Sequence, residues 1–375
     1  MGRLDELVPE HIRNLQGYTP GKPPKQAEKE SGVVCIKLAS NENPFGPSPA
    51  AIKAMHDAAP RVHLYPDNDA TELRTLVADR YGIRPEQTLI TGGSTQFINI
   101  VAHSLLAPGL NAVTCERSFI MYPVATQAAG GSLRQVPLRD DAFDLDALLG
   151  AMDGNTRVVW MANPNNPTGT IVDPTALDRF IERVPPHVLV VLDEAYYEFA
   201  QHFAELRGRE YSHSLDYVRQ ERNVVVLRTF SKAQGLAGLR VGYGFGPTDL
   251  IGYFSRERTA FSISTLAEAA AIAAFADEQH IRKTLDNNAA GAAWITEKLS
   301  MMGLQVAPTW SNFLYIEVGE DAAHIARRMQ DDGVVVRPLT VWGAPRAIRV
   351  TVGTPEQNKK FVKAMERVVE HATVT

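Results

Sequence analysis

Chemistry is read first at Lys232, which ends the stretch Arg228-Thr229-Phe230-Ser231-Lys232 immediately after the apolar run 224–227. Gly235-Leu236-Ala237-Gly238 comes next, small residues that let backbone or a ligand approach closely. A lysine amine forms an imine with an aldehyde. Three further apolar runs end on polar residues. Run 88–90 leads into Thr91-Gly92-Gly93-Ser94-Thr95, run 158–162 into Asn163-Pro164-Asn165-Asn166-Pro167-Thr168-Gly169, and run 188–192 into Asp193-Glu194-Ala195-Tyr196. Singly, each has an ordinary explanation as a helix cap, a turn or a solvated strand-end carboxylate. Ligands of open α/β sheets, however, bind beyond the carboxyl ends of the strands. The strand ends would therefore bring a Gly-Ser turn, an asparagine, an Asp with a Tyr, and a Ser-Lys pair to one crevice.

The aldehyde cofactor that uses a partner for a pyridinium, a cradle for a phosphate and donors to a phenolate is pyridoxal 5'-phosphate. The patterning indicates the elements that must hold such a set. From about 45 to 265, short apolar β-type runs at 88–91, 112–115, 158–161, 188–192, 224–227 and 241–245 alternate with helical patterns. That alternation predicts a mostly parallel sheet covered on both faces. After an Ala-rich helix near 266–276, the order becomes helix, strand (313–318), helix, strand (334–337), strand (348–352), helix, which is a small α+β domain. The expected division is 1–44 as an N-terminal arm and the start of the small domain, 45–265 as the large cofactor-binding domain, and 266–375 as the small C-terminal domain. Residues 16–32, rich in Pro, Gly and Lys without an apolar period, predict an extended arm.

A net charge of -5 argues against a nucleic-acid surface, which needs clustered Lys and Arg. Cys35 and Cys115, far apart, have neither metal-site nor disulfide spacing and point to a reducing compartment. Residues 1–15 lack a signal-peptide core, and the apolar stretch 266–275 is too short to span a bilayer, so a soluble cytoplasmic protein without membrane partners is expected. Gly242-Tyr243-Gly244-Phe245-Gly246 has the wrong spacing for a dinucleotide loop, and His63, His103 and His187 lack metal-ligand spacing, so no metal is expected.

The lysine block, together with Leu236-Ala237-Gly238-Leu239-Arg240-Val241-Gly242, resembles that of the fold-type I aminotransferases. More narrowly, the chain is similar to the histidinol-phosphate aminotransferases. The similarity runs through Tyr18-Thr19-Pro20-Gly21-Lys22, LASNENPFGPS at 38–48, Tyr65-Pro66-Asp67, the NPNNPTG and DEAY blocks, Val336-Arg337-Pro338 and Ile348-Arg349-Val350-Thr351-Val352-Gly353. The resemblance implies an α/β architecture: a large domain with a mostly parallel seven-stranded sheet in an αβα sandwich, plus a smaller α+β domain. It also implies catalytic roles for Lys232, Asp193 and Tyr196. Lys232 would carry the cofactor as a Schiff base and shuttle a proton, Asp193 would keep the ring nitrogen protonated, and Asn166 and Tyr196 would hydrogen-bond the phenolic oxygen.

By the same resemblance, Ser94, Thr95, Ser231 and Arg240 would cradle the phosphate and Phe119 would stack on the ring. Tyr65 would reach the cofactor phosphate of the other subunit of a homodimer with shared sites. Tyr18, Asn43, Arg337 and Arg349 would meet substrate, an amino donor or a 2-oxo acid acceptor. Thr95-Gln96 departs from an acidic pair common in the family, with little consequence expected because the phosphate contacts there are backbone. The alternatives within this chemistry are an aromatic amino-acid aminotransferase and a threonine-phosphate decarboxylase. A cofactor-sensing regulator would need a DNA-binding domain, for which the ~40 residues before the first block are too few.

Overall fold

Runs such as Val224-Val225-Val226 and Val188-Leu189-Val190-Val191 are apolar at every position, so neither face of such a strand can meet water. In the computed structural model, which describes residues 5–17, 21–319 and 321–372, these runs form the interior of a seven-stranded sheet. Its strands are β1 (Thr88–Thr91), β2 (Asn111–Cys115), β3 (Ser132–Val136), β4 (Thr156–Ala162), β5 (Leu189–Asp193), β6 (Val224–Thr229) and β7 (Gly242–Phe245). The order is β1-β7-β6-β5-β4-β2-β3. All pairings are parallel except those of β7, which runs antiparallel to both neighbours. β5 and β6 are buried along their whole length.

One strand escapes the apolar reading. β3, Ser-Leu-Arg-Gln-Val, lies at the sheet edge with a largely exposed or half-buried pattern, so it carries no continuous apolar signal. The glycines of β7 have a packing reason rather than a nucleotide one. A Cβ on Gly242 would stand 2.6 Å from the backbone nitrogen of Ser94, which lets the helix of Ser94–Leu105 abut the strand.

A second core gathers Leu38, residues between Ala292 and Val368, and Ala200, Phe203, Ala204 and Tyr211. Its sheet contains β8 (Gln305–Val306), β9 (Phe313–Glu317), β10 (Arg337–Pro338) and β11 (Ala347–Thr351) in the antiparallel order β10-β11-β9-β8. The single strand expected at 334–337 is divided. Val334–Val335 pairs in parallel with Ile36–Lys37, while Arg337–Pro338 joins β11.

Two expectations need correction. The helix Thr265–Ala276, expected to open the small domain, buries Ala267, Ala270, Ala271, Ala274 and Phe275 in the first core and packs on the helix Pro49–Ala58. Its alanines allow that close approach. The arm at 16–32 is not extended throughout: Pro24–Ser31 is helical, with Pro24 in its first turn and Gly32 at φ 73° closing it. Only Ala27 of that helix is buried, which is why no apolar period marks it. Lys22 beside it contacts Glu30 at 2.5 Å and Gln330 at 2.8 Å, fixing the segment to the second core. Among the described residues no helix is long and apolar enough to cross a membrane.

The ends of β5 and β6 are locked together by charge. Arg228 donates from Nε (3.0 Å) and Nη2 (2.8 Å) to Glu194, and Ser212 donates to the other carboxylate oxygen at 2.6 Å. Both ionic side chains are essentially solvent-free, and the guanidinium stacks on the Tyr197 ring at 3.3 Å. Removing one member of such a pair leaves the other charge buried and uncompensated, at about 3–5 kcal/mol. Glu194→Ala is therefore expected to lower the urea unfolding midpoint severely. A midpoint within error of the parent would show that this pair does not hold the strand ends.

Candidate active site

The carboxyl ends of β1, β4, β5 and β6 open onto a crevice of about 400 Å³. Its wall includes Ser94, Thr95, Phe119, Asn166, Asp193, Tyr196, Ser231, Lys232, Arg240 and Arg349, all of them singled out by the sequence.

Asp193 is the last residue of β5 and is buried. Its carboxylate receives the Tyr122 hydroxyl at 3.2 Å and the Ala195 N–H at 3.2 Å. Burial raises its pKa to about 6, because those two donors do not replace water around the charge. Lys232 stands across the crevice with Nζ 3.4 Å from the Ser40 carbonyl and 5.7 Å from the Tyr196 ring centroid. Burial, then the positive charge of Arg349, brings its amine down to about 8. At pH 7 about a tenth of this amine is therefore neutral and nucleophilic, far more than of an ordinary lysine.

At the β1 end, the helix Ser94–Leu105 begins at Gly93, φ 85°, with no side-chain cap. A Cβ on Gly93 would lie 2.6 Å from Arg240 Nη2, so only glycine lets that guanidinium rest against the turn. Gln96 accepts the Gly92 N–H at 2.6 Å and so closes the turn from behind. Arg240 also donates to Ser231 Oγ at 3.3 Å. A helix N-terminus, two hydroxyl residues and a guanidinium make an anion cradle.

On the opposite wall Asn166 Oδ1 accepts from Arg349 Nη1, whose Nη2 donates to the Ala39 carbonyl at 2.9 Å. The Tyr196 hydroxyl accepts from Asn41 Nδ2 at 2.9 Å. Phe119 meets Tyr122 edge-on at 5.6 Å, and Tyr122 in turn stacks on Trp160.

These features fit pyridoxal phosphate. The cradle suits its phosphate, the buried Asp193 carboxylate suits a protonated ring nitrogen, and the lowered Lys232 amine suits its aldehyde.

Class I and II aminotransferases have a family model that matches residues 33–365. The chain belongs to this family. A histidinol-phosphate aminotransferase of Moorella thermoacetica is 40% identical to this aminotransferase over 96% of this chain and 92% of that one. Histidinol-phosphate aminotransferase 2 of Pseudomonas aeruginosa is 41% identical over 96% of this chain and 97% of that one. Among solved structures, the histidinol-phosphate aminotransferase of Sinorhizobium meliloti in complex with pyridoxal-5'-phosphate superposes with a TM-score of 0.88 at 28% identity, covering 97% of this chain and 98% of that one.

Not every expected residue of this aminotransferase reaches the crevice. Asn43 does not line it. Its Nδ2 donates to the Ala233 carbonyl (2.8 Å) and Thr284 (3.1 Å) and its Oδ1 accepts the Phe45 N–H (2.9 Å), so its amide braces the loop. Ser40 and Asn41 of the same block face the crevice instead. Arg337 borders an adjoining cavity of about 520 Å³ with Gln16, Gly17 and Val341. Tyr65 is 82% exposed and stacks on Phe261 at 4.7 Å, outside the crevice of its own chain. Tyr18 falls outside the described residues. Sequence reasoning missed Tyr122, the hydroxyl donor to Asp193, and Trp342, which lines the crevice beside Arg349. Tyr122 follows Phe119 by three residues in Ser118-Phe119-Ile120-Met121-Tyr122, so both rings are visible in the sequence but the second ring's task is not.

Proposed function

We propose that the protein is a pyridoxal-phosphate-dependent aminotransferase interconverting L-histidinol phosphate and 2-oxoglutarate with imidazole-acetol phosphate and L-glutamate, in histidine biosynthesis. The observation that carries the reading is Arg337 directly opposite Arg349 on paired strands, next to a crevice built around Lys232 and Asp193, in a chain about 40% identical to histidinol-phosphate aminotransferases over nearly its whole length. Two guanidiniums side by side suit a phosphate dianion or a second carboxylate.

Bound in the crevice, the cofactor supplies an aldehyde that takes up the amino group and an electron sink that acidifies the donor's carbon. The chain does the rest. Lys232 Nζ, the lowered amine of the crevice, would be the group that accepts and returns the proton moved in the reaction. Asp193 would keep the ring nitrogen protonated, Tyr196 and Asn166 would donate to the phenolic oxygen, and Arg349 would fix the donor's anionic end. Phe119 covers the ring face, since stacking requires the ring and not a hydroxyl.

The test is a panel of half-reactions following loss of the cofactor's visible absorbance with histidinol phosphate, glutamate, phenylalanine, tyrosine and threonine phosphate separately. Histidinol phosphate and glutamate are expected to react most efficiently. Arg337→Ala should raise KM for histidinol phosphate roughly tenfold or more, the worth of a charge-assisted contact, and spare phenylalanine. Equal losses for all donors would remove Arg337 from phosphate recognition.

A cytoplasmic homodimer with shared sites completes the proposal, supported by the exposed Tyr65 and its neighbour Phe261. In a twofold dimer, one Tyr65→Phe subunit and one Lys232→Ala subunit place both defects in one site and leave the other native. Co-expressed variants should thus exceed the mean activity of the separate parents. Mixed dimers with only the mean activity would confine Tyr65 to its own chain.

A further inference from the structure

Arg337 and Arg349 face one another across β10 and β11, and like charges placed directly opposite in a sheet repel. The same aromatic ring lies beside both. The indole of Trp342 has its ring centroid 5.0 Å from the Arg337 guanidinium carbon and 5.9 Å from that of Arg349. Trp342 closes a short helical turn, Thr340–Trp342, ended by Gly343 at φ 75°, and packs in a small cluster with Tyr315, Leu339, Ala344 and Ala347. The ring is therefore anchored. It is 8% exposed, lines the crevice, and also borders a cavity of about 370 Å³ beside Phe119. Among the described residues nothing accepts its buried Nε1–H.

We infer that Trp342 is a positioning residue for dianion selectivity: its π face offsets the repulsion between Arg337 and Arg349 and holds them as one doubly charged grip, while its Nε1–H is available to an anion oxygen. A single carboxylate needs Arg349 alone, so the ring matters for phosphates and dicarboxylates and little for monocarboxylates. This deepens the proposed function and rests on its assignment of the crevice as the substrate site.

The test uses the holoenzyme and two simple anions, inorganic phosphate and acetate, as competitive inhibitors of the half-reaction with glutamate. In the parent, phosphate should inhibit much more strongly than acetate. Trp342→Leu removes both π face and donor and should weaken phosphate about 5- to 30-fold, spanning partly exposed to desolvated cation–π contacts, while shifting acetate by less than about twofold. Trp342→Phe keeps a π face, preserves packing, and should fall between the two; if the leucine variant does not fold, the phenylalanine variant must still narrow the phosphate-to-acetate ratio by roughly threefold. A parent without preference for phosphate, or variants in which both anions weaken together, overturns the inference. These readings need glutamate as the one reacting donor but no turnover of histidinol phosphate, so a failure with histidinol phosphate and a failure of the phosphate-to-acetate comparison are read separately.

Discussion

Lys232→Ala is expected to abolish turnover and the visible absorbance of the lysine-bound cofactor while leaving the fold intact. The structure explains why the two effects separate. The amine's protein contact is a long 3.4 Å bond to the Ser40 carbonyl, and burial already works against its charge. Removing it gives up that long bond and a favourable charge near the buried Asp193 but also relieves the burial penalty, so the melting temperature of the cofactor-free chain should stay near the parent's. The same burial gives a pH signature. Because the neutral amine is the nucleophile and its pKa is about 8, capture of added cofactor by the empty chain should accelerate as pH rises through 8 and then level off. Turnover by Lys232→Ala with an unaltered spectrum would dismantle the proposed chemistry.

Asp193→Asn should keep the cofactor yet lose about a thousandfold or more in turnover, since a neutral amide cannot hold the ring proton. Stability provides an independent reading of the same carboxylate. Burial raises its folded-state pKa from the usual 3.8 to about 6. The folded chain thus favours the protonated acid, a stabilisation present below 3.8 and lost as pH rises through about 6. Without cofactor, Asp193→Asn removes that penalty and should be more stable than the parent at pH 7. With cofactor the order should reverse, because the parent's carboxylate then faces a cation. Near-normal turnover, or stability orders that ignore the cofactor, would move Asp193 away from the ring nitrogen.

Much of this is legible in the sequence because buried parallel strands leave a direct trace. Runs like 188–192 and 224–227 have no polar face, and the polar residues at their carboxyl ends must line the crevice. Residues that act from elsewhere leave weaker traces. Tyr122 reaches Asp193 across 71 positions, and nothing in the helix Met121–Ala128 shows which of its faces meets β5. Asn43, expected to meet substrate, braces its loop instead, while Asn41 of the same block lines the crevice. Asn41 adopts φ 57°, a left-handed kink that breaks any alternation along the block, so which asparagine faces inward is decided by a dihedral the letters do not encode. The helix Pro24–Ser31 is hidden in another way, because a helix fixed by one buried alanine, Lys22 and its end caps has no stripe to detect.

The bonds around Arg349 carry a consequence for the whole molecule. This arginine belongs to the second core's sheet, yet it holds Asn166 at the end of the first core's β4, and Asn41 ties Tyr196 to Thr351 in the same way. The crevice is consequently a seam, and whatever occupies it grips both of its edges. Ligand occupancy then acts as a fastener: its mass-action stabilisation, which grows with the logarithm of free ligand, accrues to the union of the cores rather than to either alone. Supply of cofactor and substrate would thereby set not only how fast this protein works but how long it survives in a proteolytic environment.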